Sequence, residues 1–267
     1  MEPTVQDIIT IVESIAPLFT AESWDNSGFQ LGERSAQVKK VALSLDATPT
    51  VIRSAVSQGA DLLITHHPLI FPHITHIDRG SAFGAAVAWA FTHDLSIYSS
   101  HTPLDHSPQG TNLALSQTLR LLDPAPLPRR LDAEAADGIV FTGTLKRPMP
   151  LASFAQYVRD TLGATSVRYT GDGASQVYVI AVCGGSGGDC IDRARERGAD
   201  VFVTGEVRHH QALAALDTNI HIVEAGHYHT EWCTVPLLEK IIREGAERND
   251  FTIDVEIVSA PSPFVSI

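Results

Sequence analysis

Long hydrophobic runs are missing from this chain of 267 residues. The longest weakly polar run, SAFGAAVAWAFT at residues 81–92, is bounded by Asp78 and Arg79 on one side and by His93 and Asp94 on the other. A bilayer span takes about 20 apolar residues, so membrane crossing is not expected. Cysteine is scarce: Cys183, Cys190 and Cys233 are odd in number and lack CxxC spacing, which reads as reduced structural thiols rather than a disulfide framework. Basic charge is also in short supply, with 19 Lys and Arg against 31 Asp and Glu, a formal net charge of −12. Proteins that grip nucleic acid through phosphates need a basic surface, and no Lys/Arg cluster here exceeds three, so general nucleic-acid binding is disfavoured. The opening MEPTVQDIIT carries two acids and no basic-then-apolar signal region, which predicts a cytoplasmic location. The apolar content of 44% is ordinary for a folded globular protein of one large or two interlocked domains.

One further absence is local. Of twelve histidines, seven lie between His66 and His106 and five between His209 and His229, with none in residues 107–208. Whatever the histidines do, the middle of the chain takes no part.

A repeat is present. VALSLDATPTVIRSAVSQGADLLITHH, from Val41, aligns without a gap with IAVCGGSGGDCIDRARERGADVFVTGE, from Ile180, at a separation of 139 residues. Each copy reads as an apolar strand, an amphipathic helix stopped by a Gly-Ala-Asp turn (Gly59 or Gly198), and a second apolar strand ending in Thr65 or Thr204. A parallel pair joined by a helix is the natural reading. The match continues in a His-x3-acid pair beyond a later strand: His101 and Asp105 in one half, His227 and Glu231 in the other. The fold class expected is α/β, as two intertwined, duplicated repeats: residues 1–124, with an N-terminal helix, and residues 125–267.

Elsewhere the pattern predicts a helix over 4–18, turn chemistry in WDNSGFQLG at 24–32, and a helix over 110–122. A proline-rich connector follows near 123–130, then strands at 138–145 and 166–169, a helix over 151–162, a helix after Glu231 and a closing strand in FTIDVEIV.

Imidazoles and carboxylates at strand ends are good ligands for divalent first-row metals. His66 and His67 are neighbours, and on an extended chain they point to opposite faces, so they are expected to serve two ions rather than chelate one. Together with Asp105, His227 and Glu231 they would hold a metal pair, a carboxylate bridging. His73, His76, His93, His106 and His221 read as structural or solvated. Gly184, Gly185, Gly187 and Gly188 lie between a strand and a helix and fit either a phosphate-cradling loop or a tight turn.

The motifs WDNSGFQLG, LLITHHPLIF, IYSSHTPLD, VTGEVRHH and EAGHYHTE, in this order across nearly the whole chain, resemble those of the NIF-three-like dinuclear metal-centre proteins, catalogued as GTP cyclohydrolase 1 type 2 homologues. The resemblance implies two interlocked α/β repeats with a two-metal site between them, in a toroidal homohexamer with its sites facing an internal cavity. It implies metal ligation by His66, His67, Asp105, His227 and Glu231, with Glu231 bridging. Two divalent ions per subunit would bind there: zinc, iron, manganese, nickel or cobalt. His101, with Glu231, would be catalytic, and Glu206 and His210 would line the same region. The chain departs from the pattern at Tyr228, where many relatives carry a histidine, and adds His229; it also lacks the large insertion some relatives have. The function expected is a metal-dependent hydrolase acting on a nucleotide or other phosphorylated small molecule. The alternative is a non-catalytic metal-binding, storage or scaffold assembly protein.

Overall fold

The computed structural model describes residues 1–71, 74–128 and 136–265. His73 lies outside the described residues. The chain forms two compact units: Met1–His106 with Thr234–Pro261, and Ser107–Cys233 with Ser262–Ile267. Among the described residues no helix is long and apolar enough to cross a membrane.

The first unit opens with α1 (Val5–Glu13), whose Val5, Ile8, Ile9 and Val12 are buried. The helix is shorter than the 4–18 pattern predicted; a short 3-10 turn follows at Leu18–Thr20. The strands are β1 (Gly28–Leu31), β2 (Lys40–Ser44), β3 (Leu62–Thr65) and β4 (Ser96–Ser99), with α2 (Pro49–Ser57) and α3 (Ala82–Thr92) in the crossovers and α4 (Thr102–His106) after β4. All four residues of β3 and of β4 are buried, as expected where a parallel sheet is covered on both faces. The weakly polar run at 81–92 is α3, capped by Ser81 and packed on α2.

The second unit contains α5 (Thr111–Thr118), β5 (Leu122–Pro128), β6 (Ala136–Pro150), α6 (Leu151–Leu162), β7 (Arg168–Tyr169), β8 (Gln176–Cys183), α7 (Ile191–Glu196), β9 (Val201–Thr204), α8 (His209–Asp217), β10 (His221–Glu224) and α9 (His227–Glu231). The proline-rich stretch is not a connector. It is β5, at one edge of a sheet ordered β5-β6-β8-β9-β10-β7. Pro124, Pro126 and Pro128 are spaced by two, so their missing N–H groups fall on one side of the strand, and an edge strand tolerates that. Phe141, Phe154 and Phe202 are buried to within 1% exposure, and each contributes about 1.5–3 kcal/mol of burial.

The last elements, α10 (Thr234–Arg248) and β11 (Asp254–Ile257), belong to the first unit: α10 packs on α1, and β11 pairs in parallel with β2. That sheet is ordered β1-β4-β3-β2-β11. Within the two sheets, β1-β4-β3-β2 and β7-β10-β9-β8 are the same arrangement, each an antiparallel edge strand beside three parallel ones.

The repeat read in the sequence holds to the residue. Val41 pairs with Leu62 and Ile180 with Val201; Ser44 pairs with Thr65 and Cys183 with Thr204. Gly59 and Gly198 take φ of 74° and 78°, the left-handed conformation that stops each helix. The following aspartates have one job in both copies. Asp61 Oδ2 accepts from the N–H groups of Lys39 and Lys40 at 2.7 and 2.9 Å, and Asp200 Oδ2 from those of Tyr178 and Val179 at 2.8 Å each.

Candidate metal centre

In the first unit the strand does not continue through the histidine pair. β3 ends at Thr65, whose hydroxyl donates to the His67 carbonyl at 2.7 Å and turns the chain. The imidazoles of His66 and His67 therefore do not diverge, as an extended backbone would have them do. Their centroids are 5.0 Å apart, and His101 lies 5.3 and 5.4 Å from the two. One nitrogen from each of His66, His67 and His101 lies within 4.8 Å of the other two, a spacing that can hold a metal ion.

Partners fix which nitrogen is offered. His66, with no exposed surface, has its Nδ1 2.9 Å from the Ser100 carbonyl. The Nδ1 of His67 is 2.8 Å from Asp46 Oδ1, and that of His101 is 2.8 Å from Asp25 Oδ1. Carbonyl and carboxylate oxygens only accept, so each neutral imidazole carries its proton on Nδ1 and keeps its lone pair on Nε2. This is the arrangement that orients metal-binding histidines. The Nε2 of His66 is directed towards Asp105, with Oδ1 at 3.6 Å.

Asp25 is more than turn chemistry. Burial alone would push its carboxyl up, but hydrogen bonds from His101, Ser27 and Thr102 outweigh that and hold it well below the usual carboxylate range. It is an anion that anchors the His101 ring. Neither Asp25 nor Asp46 was identified as a site residue from the sequence. Asp46 lies just beyond the carboxyl end of β2, where the same strand-end reasoning that selected His66 could have found it.

In the second unit, α9 supplies the other pair. One helical turn puts His227 and Glu231 on one face, with Nε2 and Oε2 3.0 Å apart. Glu206 Oε1 lies 3.2 Å from His227 Nδ1 and Glu206 accepts from the Ser186 hydroxyl at 2.8 Å. Glu231 is 4% exposed, and a buried carboxylate calls for a cation or several donors.

The glycine-rich loop packs against this couple. A Cβ on Gly185 would lie 2.2 Å from Glu231 Oε1, and one on Gly184 3.2 Å from Glu231 Cγ. Three of its amides are already engaged. Gly184 N–H donates to Asn112 Oδ1 at 2.7 Å, Gly185 N–H to Thr230 Oγ1 at 3.1 Å, and Gly187 N–H to Thr204 Oγ1 at 3.0 Å. Of the two readings open to this loop, close packing accounts for it: the loop seats Glu231.

His210 is exposed on α8. His229 is half-buried against Tyr228, and burial lowers its pKa. Of the histidines read as structural or solvated, His76 and His93 are exposed, His93 against Trp89. His106 contacts Glu22 at 3.0 Å and His221 the Thr170 carbonyl at 3.2 Å. None of the three cysteines is in a disulfide.

The Duf34/NIF3 (NGG1p interacting factor 3) family profile matches residues 3–263. The chain belongs to this family. Among Duf34/NIF3 relatives, a protein of Clostridium perfringens named GTP cyclohydrolase 1 type 2 homolog is 33% identical, over 97% of this chain and 98% of its own. A Clostridium acetobutylicum protein of the same name is 32% identical, over 92% and 91%. Among solved structures, a Staphylococcus aureus hypothetical protein superposes with a TM-score of 0.94 at 27% identity, covering all of both chains. A Bacillus cereus protein related to NIF3 has a TM-score of 0.93 at 23% identity, covering 100% and 99%, and at that identity speaks for the Duf34/NIF3 fold alone.

Proposed function

We propose that the two clusters together form a dinuclear divalent-metal centre, and that the protein is a metal-dependent hydrolase of a nucleotide or other phosphorylated small molecule. His66, His67 and Asp105 from the first unit and His227 and Glu231 from the second would be the ligands, with Glu231 bridging. The observation that carries the reading is the convergence of His66 and His67, each with Nδ1 held against an oxygen, in a cluster with His101 whose nitrogens have metal-holding spacing. Mixed nitrogen and oxygen donors suit zinc, iron, manganese, nickel or cobalt.

Two such ions would activate a water and offset charge on a phosphoryl oxygen. The chain's own contribution would be proton handling and orientation. His101 would accept and return a proton at Nε2 while Asp25 holds its Nδ1. Glu206 would fix the ring of His227. A nucleotide substrate is favoured by the relatives' names. The resemblance of its motifs favours a toroidal homohexamer, and the gapless repeat favours an origin of the two α/β units by duplication.

The test is elemental analysis of protein purified without a polyhistidine tag, followed by a nucleotide and phosphoester panel. Near-stoichiometric metal with turnover that His66→Ala and Glu231→Ala abolish is the expected result. Bound, exchangeable metal with no turnover on any panel member would favour storage or scaffolding instead. Metal-free protein ends both readings.

A further inference from the structure

The second unit holds a pocket of about 330 Å³ whose wall includes His227. Small-molecule sites run from about 300 to 1,000 Å³. The lining has three characters: Val167, Tyr228 and Phe264 give it apolar and aromatic surface, Arg168 gives it a cation, and Glu206 and Glu224 give it carboxylates. The Tyr228 ring is held in place by stacking on Trp232, with centroids 5.3 Å apart and planes at 25°. Phe264 is 77% exposed, a large ring left in water at the pocket. Arg168 is anchored by an ion pair to Glu224, yet its side chain is 79% exposed while that of Glu224 is 12% exposed. A planar cation, paired with Glu224, is thus presented to solvent in a lining that also holds two aromatic rings. An electron-rich ring entering the pocket would meet stacking surfaces and a guanidinium able to lie on its face.

We propose that this pocket is the ring-recognition subsite of the metal centre. It takes a planar aromatic or heteroaromatic ring joined to the anionic group that binds metal, with Tyr228 and Phe264 against the ring and Arg168 on its face. The inference rests on the metal-centre reading, because His227 is what brings the pocket next to the reacting group.

The test titrates the metal-loaded, full-length protein calorimetrically with adenosine 5′-monophosphate, which carries a ring and a phosphate, and with ribose 5-phosphate, which lacks the ring. The expected result is a preference of about tenfold or more for the nucleotide, the worth of one stacked base. Phe264→Ala and Arg168→Gln should each cut that preference about threefold or more, since each removes part of the stacking. Ribose 5-phosphate affinity and metal content should stay unchanged. Binding of ribose 5-phosphate with no preference for the ring, or a preference intact in both variants, overturns the pocket and leaves the metal-centre reading standing. Failure of both ligands to bind metal-replete protein overturns the pocket and counts against the hydrolase reading, while the bound metal leaves the metal centre itself standing. A change in assembly mass for Phe264→Ala, with ring preference intact, makes Phe264 an interface residue and overturns its assignment.

Discussion

Gly185 and Glu231 are fitted to one another: the space that a side chain on the glycine would occupy holds the carboxylate oxygen, 2.2 Å from where a Cβ would stand. Gly185 also has φ of 62°, where an alanine is strained. Gly185→Ala should therefore displace Glu231 and lower metal content measured by elemental analysis. It should also cost more than about 1 kcal/mol in denaturant unfolding of the metal-free protein. Gly59→Ala, where nothing lies within 4 Å of the added Cβ, is the control, with strain of the same kind and no loss of metal.

Asp46 acts through His67. Its carboxylate holds Nδ1 at 2.8 Å and so sets the tautomer. Asp46→Asn can offer its amide N–H to that nitrogen and stabilise the wrong tautomer. Metal affinity, followed by competition with a chelator, should fall by about 10–100-fold, with little change in the circular dichroism of the apoprotein.

The repeated aspartates make a paired prediction. Asp61 and Asp200 each accept from two successive backbone amides at equivalent places in the two copies. Asp61→Ala and Asp200→Ala should each destabilise the fold by about 2 kcal/mol, the scale of a hydrogen bond to a charged group. Chemical denaturation of each variant checks both the size and the similarity of the losses.

At the N-terminus, Thr4 and Asp7 form a capping box on α1. The hydrogen bonds donated by the Thr4 hydroxyl and amide hold the Asp7 carboxyl below its ordinary value of 3.8. A carboxyl depressed on folding stabilises the protein above its unfolded pKa, and that contribution fades as pH falls through the folded value. Asp7→Ala should thus cost about 1 kcal/mol near neutrality and progressively less below pH 4, as thermal melts across pH would show.

Much of this was legible in the residues themselves. Short apolar runs such as LLIT and VFVT, each following a glycine stop, read as strands buried on both faces, and Gly-Ala-Asp after an amphipathic stretch stops a helix. The gapless repeat therefore became a matched strand register at the same offset. The residues His66, His67, Asp105, His227 and Glu231 stood out because strand ends and one-turn helical spacing are local properties.

What stayed hidden depends on which hydrogen bonds form, some of them between partners that lie far apart along the chain. Alternation predicted that His66 and His67 diverge; a hydroxyl two residues back turned the backbone and brought them together. Which ring nitrogen is tied down came from Asp46, 21 residues from His67, and from Asp25, 76 residues from His101. The role of Gly185 came from a carboxylate 46 positions downstream. Sequence periodicity determines which way a side chain leaves its own strand or helix, and hence which residues reach a sheet edge. Only packing decides what each then meets, because hydrogen-bond geometry and excluded volume act between atoms brought together by the whole fold.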